Sequence, residues 1–248
     1  MGNAESSSSP QTAAAADRRV VLLGKTGSGK SSLANTILES GSLFKVCHGS
    51  TSGTVKCQAQ TKTVEGRNVQ LIDTPGLLTP TQTPLILERF TKHELSVADV
   101  ICQHFSKDIF NYTTVVFTLG DQLNGVTIKE WIKDNKLLSS LVQRCGGRCH
   151  VFDNKHWNDT QDPYRNNQVQ LKELLNTIDQ TVQKNGGRCY TNENLKTINE
   201  KVNEEKEKLK ATPENANLSE EEINKKAKEN TFQHFWPILK GWAQWELQ

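Results

Sequence analysis

Eight consecutive residues carry the clearest chemistry in this chain: Gly24-Lys25-Thr26-Gly27-Ser28-Gly29-Lys30-Ser31. Their spacing is G-x-x-x-x-G-K-S, the pattern of a phosphate-binding loop. The glycines let the backbone curl until its N–H groups point inward at phosphate oxygens. Lys30 is placed to reach β- and γ-phosphates, and the Ser31 hydroxyl to ligate Mg²⁺. Gly24 through Ser32 are therefore the candidate phosphate-binding residues. A second group, Asp73-Thr74-Pro75-Gly76, gives D-x-x-G downstream of the loop. In that position Asp73 holds a water of the Mg²⁺ shell, and Gly76 sets a backbone N–H near the γ-phosphate. A third group is Thr118-Leu119-Gly120-Asp121. The Asp121 carboxylate can accept from the N1–H and N2 amino groups of guanine, a pair that adenine does not offer. The usual form of this reader is [N/T]-K-x-D, and Leu119 stands where the lysine is expected. Asp153-Asn154-Lys155 supplies a backbone or Asn154 contact to the base.

These groups need strands and helices to hold them. Val20 to Leu23 is a β-branched apolar run before the loop, and Ser32 to Leu38 is a helical run after it, stopped by Gly41. Residues 54–64 alternate and predict an edge strand; Glu65 to Asn68 is a turn, and Val69 to Ile72 a strand ending at Asp73. Helices are expected over 91–110 (with a Thr91/Glu94 capping box), 127–142 and 168–182, and strands over 112–118 and 148–152. Strands alternating with helices predict an α/β fold: a mostly parallel sheet with helices on both faces, the three-layer P-loop NTPase arrangement.

A net charge of +2 over 248 residues gives no general attraction to nucleic acid. No run approaches the roughly eighteen apolar residues of a membrane span. Six irregularly spaced cysteines and no apolar signal segment suit a reducing cytoplasm. Cys145-Gly-Gly-Arg-Cys149 and Gly186-Gly187-Arg188-Cys189 read as helix ends with glycine caps, and no structural metal is expected there. Residues 1–17 are a low-complexity tail expected to be disordered. Its start fits M-G-x-x-x-S, with Gly2 as acceptor for N-myristoylation, equally readable as an ordinary tail.

Taken together, the residues resemble the GTPases of immunity-associated proteins (GIMAP), the avrRpt2-induced-gene-like family of septin-related G domains. The likeness rests on GKTGSGKS, Thr54-Val55-Lys56-Cys57 after a Ser-rich loop, DTPG followed by Leu77, and Arg89-Phe90-Thr91. It continues through Val115-Val116-Phe117-Thr118 and Val151-Phe152-Asp153-Asn154, covering residues 18 to 190. The resemblance implies a G domain that binds GTP and GDP with Mg²⁺, assembles into homo- or hetero-oligomers and in several members attaches to intracellular membranes. It implies phosphate and Mg²⁺ roles for Lys30 and Ser31, and γ-phosphate sensing by Asp73 and Gly76. Thr54 takes the place of the switch threonine, with Thr51 as the alternative register, and Thr118, Asp121 and Asn154 fall at the guanine-binding positions.

Two departures stand out. Leu77 occupies the place where Ras-like enzymes keep a water-positioning Gln, so hydrolysis is expected to be slow. Between Gly76 and Arg89 the family has a helix and a central strand, whereas this chain has only residues 77–88. A parallel crossover needs a dozen or more residues. Either Leu85-Ile86-Leu87 pairs as a stump of the missing strand, or the sheet is split beside the phosphate loop; both predict a weakened core and an altered second switch.

From residue 191 the composition turns to Lys, Glu and Asn, and a helical extension follows to residue 248. Leu195, Ile198, Val202 and Leu209 recur at heptad-like spacing, Pro213 ends that helix, and Ser219 to Glu222 caps another. Phe232 to Trp245 is rich in aromatics, and Pro237 and Gly241 are expected to weaken a helix there. The reading is a guanine-nucleotide-binding switch or scaffold with slow GTPase activity. The alternatives are an interaction protein with impaired nucleotide binding and an ATPase, the latter disfavoured by Asp121.

Overall fold

The computed structural model describes residues 18–46, 54, 57–76, 98, 101, 105–158, 160–215 and 217–243, without the side chains of residues 194 and 232–243. Gly2 and the tail, Thr51, the Thr91/Glu94 box and Leu85-Ile86-Leu87 lie outside the described residues. The chain divides into two compact units, Met1–Arg188 and Cys189–Gln248.

In the first unit β1 (Arg18–Leu22) pairs in parallel with β3 (Arg67–Asp73), and β2 (Gln58–Val64) pairs antiparallel with β3, in the order β1-β3-β2. Glu65 and Gly66 join β2 to β3 with φ of 47° and 74°, the two positive angles of a type I′ hairpin turn. A separate parallel pair is formed by β4 (Val115–Phe117) and β5 (Cys149–Val151). Among the described residues, β1 and β4 are not paired with each other, and the strands form two sheets.

Among the described residues, helices pack on both faces of the β4–β5 pair and on one face of the β1-β3-β2 sheet. α1 (Lys30–Ile37) and α4 (Asn167–Lys184) share one core, built from Leu33, Ile37, Leu38, Phe44, Val69, Leu71, Phe152, Leu171 and Leu175. That core takes side chains from β3 and from the chain just after β5, and Val116 of β4 packs against it. A second core holds Phe117, Val151 and Trp157 against α2 (Ile128–Lys133) and α3 (Lys136–Arg144). Trp131 is partly buried against this core, edge-on to Phe117 with centroids 6.2 Å apart.

The expected helix over 127–142 is two helices. Thr127 and Glu130 form a capping box that starts α2, and the Asn135 side chain accepts from the N–H groups of Leu137 and Leu138 (both 3.1 Å) to start α3. An Asn favours an N-cap over a helix interior, because its side chain competes for backbone N–H groups. The expected helix to residue 110 also breaks. Ala98 and Ile101 are helical, Ser106 is extended, and Lys107–Tyr112 is a separate 3₁₀ turn. The stop of α1 falls earlier than Gly41: Glu39 takes φ 46° while Ser40 N–H donates to Asn35 O (2.9 Å). The glycine pairs after α3 and α4 are helix caps: Gly147 N–H donates to Val142 O and Gly187 N–H to Val182 O, both 2.9 Å. Burial pushes the Cys145 thiol up to about 11, against the opposing charges of Arg148 and Arg144.

In the second unit α5 (Glu193–Ala211) and α6 (Glu220–Ala243) bury Val202, Leu209, Ile223 and Ala227 together. Ser219 and Glu222 cap α6 reciprocally, and its backbone is helical through Pro237 and Gly241, which were expected to weaken it. Among the described residues no helix is long and apolar enough to cross a membrane.

Two polar contacts tie α4 to the sheets. The Asp179 carboxylate accepts from Arg18 Nε (2.8 Å) and Arg67 Nε (2.7 Å), joining the starts of β1 and β3. Burial raises its carboxyl, but the two guanidinium groups outweigh this and hold it below the usual range. On the β5 side, Thr177 gives its hydroxyl proton to Glu173 O (2.9 Å), so its oxygen accepts from His150 Nε2–H at 2.8 Å. Burial, helped by the charge of Lys129, lowers His150 to about 4. An unfolded histidine protonates near pH 6.5, so between there and pH 4 the unfolded chain binds more protons and stability is lost as the pH is lowered. Urea unfolding should therefore show roughly 3 kcal/mol less stability at pH 4 than at pH 7 from this group. The His150→Gln variant, measured the same way, should lose that part of the pH dependence.

Candidate functional site

The phosphate loop is built by the end of β1 and the start of α1. Gly29 takes φ 77° at the N-cap of α1, and no side chain caps that helix. The N–H groups of its first turn are thus left facing the loop, where the helix dipole favours an anion. Lys30 Nζ donates to Gly24 O (3.2 Å) and Lys25 O (2.7 Å), and the Ser28 hydroxyl donates to Lys25 O (2.9 Å). Burial lowers the Lys30 ammonium, with the charge of Asp73 pulling it back up. A half-buried cation hydrogen-bonded to two loop carbonyls is suited to a phosphate anion.

Three oxygens from distant parts of the chain converge beside it. Ser31 Oγ donates to Asp73 Oδ2 at 2.6 Å, Thr54 Oγ1 donates to the same oxygen at 3.2 Å, and the two hydroxyls lie 3.2 Å apart. Asp73, at 1% exposure, keeps Oδ1 buried without a hydrogen-bond partner. An all-oxygen set with an unused carboxylate oxygen fits a hard cation of the Mg²⁺ type. Asp73 is held by the last pair of the β1–β3 ladder, and Thr74 Oγ1 donates to Leu22 O (2.7 Å), locking the end of β3 to the entry of the loop. Gly76 closes on the loop so tightly that a Cβ there would lie 2.7 Å from Thr26 Cα and nearer still to its backbone N.

The base end is built by the other sheet. Thr118 Oγ1 donates to Ser28 O (2.8 Å), joining the end of β4 to the loop. The Asn154 amide rests over Gly29, where an added Cβ would meet Nδ2 at 2.6 Å, and Asn154 Oδ1 is buried and unpartnered. Asp121 is half-exposed on a 3₁₀ turn, Gly120–Leu123. That turn is tied to the chain after β5 by Gly120 N–H donating to Phe152 O (3.0 Å) and by a Leu119–Asp153 bridge. Trp157 packs directly under Gly120, where a Cβ would meet its ring at 2.6 Å. So Lys30, Ser31, Thr54, Asp73 and Gly76 are gathered at one end and Thr118, Asp121 and Asn154 at the other.

Asp153 is a site residue that the motif reading passed over. Its carboxylate accepts from the N–H groups of Asp121 (3.1 Å), Lys155 (2.9 Å) and His156 (2.7 Å). Burial raises it, but these donors outweigh burial and keep it below the usual range. The available signal was an Asp just past a strand and followed by polar residues, the composition of an Asx turn.

The fold and the loop define a P-loop domain of the α/β class. The sequence pattern of the AIG1 family matches residues 18–85 and 81–210, two stretches that meet inside the short segment after Gly76. The chain belongs to the AIG1 family. It is 32% identical over 234 residues to immune-associated nucleotide-binding protein 8 of Arabidopsis thaliana, covering 82% of this chain and 64% of that protein. It is 29% identical over 208 residues to human GTPase IMAP family member 8, covering 74% of this chain and 30% of that protein. The chain thus spans less than two thirds of the length of these relatives. Among solved structures, Toc33 from Arabidopsis thaliana in complex with GDP and Mg²⁺ superposes with a TM-score of 0.52 at 18% identity, covering 67% of this chain and 84% of Toc33. A dimerization-deficient Toc33 mutant gives the same TM-score of 0.52. These establish the fold.

Close approach makes two glycines sensitive to a single methyl. Gly29→Ala forces both a left-handed alanine and a clash with Asn154, and should cost about 1–3 kcal/mol in denaturant unfolding. Gly76→Ala strikes Thr26 backbone; it should leave global unfolding within about 1 kcal/mol while raising protease cleavage next to residue 76.

Proposed function

We propose that this chain is a guanine-nucleotide-binding switch or scaffold protein that binds GTP and GDP with Mg²⁺ and hydrolyses GTP slowly. The observation that carries this reading is the convergence of Ser31, Thr54 and Asp73 oxygens within 2.6–3.2 Å at the open N-terminus of α1. Ser31 and the Asp73 carboxylate would hold the cation, with Thr54 as the switch residue that meets the γ-phosphate. Lys30 would exchange its two loop carbonyls for β- and γ-phosphate oxygens. The cation would supply charge neutralisation at the phosphates; the loop amides and Lys30 would add preorganised donors that need no rearrangement as charge develops. Hydrolysis is slow in this reading because Leu77 cannot orient a water. Guanine selectivity falls to Asp121. Relatives named as nucleotide-binding proteins and as a GTPase support it.

Oligomerisation through the G domain, a cytoplasmic location, acylation at Gly2 and attachment to an intracellular membrane complete the proposal; their support is the family resemblance and the N-terminal pattern. A second reading, an interaction protein with impaired nucleotide binding, is favoured by the separation of the described strands into two sheets.

Titration with fluorescent GDP and a GTP analogue, competed by unlabelled ATP, separates these readings. Saturable binding that resists ATP, weakens on Mg²⁺ chelation, and falls about 10- to 100-fold in Lys30→Ala is the expected result for loss of a charged donor. Thr54→Ala should weaken the GTP analogue more than GDP. A folded protein with no saturable binding would establish the second reading.

A further inference from the structure

At the base end, Asp121 belongs to a cluster of titratable groups whose other members have no role in the reading above. Asp121, Asp153 and His156 bring one ligand atom each to within 4.8 Å of one another. Asp153 is 3% exposed in its side chain, while Asp121 and His156 are 43% and 61% exposed. The Asp153 oxygens already accept three backbone N–H groups, so this carboxylate serves as an anchor for the two turns. His156 stands on it, with Nδ1 3.2 Å from Asp153 Oδ1 and 3.7 Å from Asp121 Oδ2. Its backbone N–H is bonded to the same Asp153 oxygen, which fixes the ring beside Asp121.

Asp121 thus faces a buried carboxylate on one side and an imidazole on the other. Burial, a side-chain hydrogen bond with Asp153 and the charge of Asp153 raise the Asp121 carboxyl above its usual range, while His156 and the Gln122 N–H pull it back down. The basic side chain beside Asp121 is His156, with Nδ1 3.7 Å from Asp121 Oδ2. Position 119, two residues before Asp121, is Leu, so the turn itself offers no cation at that place. The basic group comes instead from the loop after β5.

We propose that His156 is a specificity-determining residue of the base end: it holds the Asp121 carboxylate in the orientation that accepts two parallel N–H bonds from guanine. The role rests on the guanine-nucleotide reading above. It makes base selection a property of two loops, each tied to the other through Asp153. His156 acts on the base through Asp121 and is a positioning residue.

The distinction between guanine and hypoxanthine isolates the second N–H bond, because hypoxanthine keeps N1–H and lacks the N2 amino group. The test is displacement of fluorescent GDP by GDP and by IDP from the full chain, with His156→Ala, His156→Lys and Asp121→Asn. His156→Ala is expected to weaken GDP about three- to fivefold, the scale of a half-exposed charge pair. IDP should change by less than about twofold, so that the GDP-over-IDP preference falls with it. His156→Lys, which keeps a basic side chain on the loop, should retain most of the preference. Equal weakening of GDP and IDP in His156→Ala would overturn the proposal, since a loosened loop affects both nucleotides alike. An unchanged preference in His156→Ala, with Asp121→Asn abolishing it, would overturn the role of His156 and leave Asp121 as base reader. A wild-type chain that binds the fluorescent nucleotide but shows no GDP-over-IDP preference would overturn this proposal and the assignment of Asp121 together. A folded wild-type chain that binds no nucleotide would overturn the function proposed above, and this role with it.

Discussion

The structure depends on one hydrophobic core that crosses a gap in hydrogen bonding. Among the described strands no ladder joins β1 to β4, yet α1 and α4 lie over both sheets and bury Val69 and Leu71 from one with Phe152 from beside the other. Each such side chain contributes on the order of 1.5–3 kcal/mol by leaving water. A ladder is directional and fails without its partner strand, whereas apolar packing only needs shape and area. Polar ties then set the register of what the core brings together. Asp179 fixes α4 to the starts of β1 and β3, while Thr118 and Asn154 meet the phosphate loop at the opposite end.

The phosphate end was legible in sequence because it is contiguous. Glycine spacing, Lys30 and Ser31 occupy eight residues, and the strand and helix around them have strong, simple periodicity. Asp73 was legible because a strand end fixes it. Thr54 was held open against Thr51, since a loop gives no periodic register; the structure brings Thr54 to 3.2 Å from Asp73, and Thr51 lies outside the described residues. The base end was only partly legible. Asp121 and Asn154 follow from their places after strands, but Asp153, His156 and Trp157 act through contacts with a turn more than thirty residues away. Gly120 shows why: its need for no Cβ comes from the Trp157 ring, which no local pattern announces.

Element ends were missed for a related reason. Asn135 sits within a run whose apolar spacing suits a single helix, and hydrophobic periodicity does not register a capping side chain. The same holds at Glu39, where a left-handed turn forms without glycine because Ser40 and Glu39 close on the last helical carbonyls. At Glu39 backbone hydrogen bonds outweigh the usual preference of a non-glycine residue for negative φ, and at Asn135 the side-chain cap interrupts a run that apolar spacing alone would continue.

The two ends of the site belong to different sheets. Lys30, Ser31 and Asp73 stand on the β1–β3 side, and Asp121 and Asn154 stand after β4 and β5. A nucleotide held at both ends would span the seam that the core and the Thr118 and Asn154 contacts close. Its binding energy would then add to the cohesion of the unit, because a ligand that binds only the assembled form stabilises it in proportion to the logarithm of its concentration over Kd. In a G domain with a full central strand, the ladder holds the halves together and the nucleotide is a passenger on a rigid frame. Under the function proposed above, the frame and the ligand would share that task, and a shortened connection would be compatible with binding. Under that function, the fold would depend more on being loaded, and the nucleotide state would be read out as cohesion between two sheets as well as through the loop that carries Thr54.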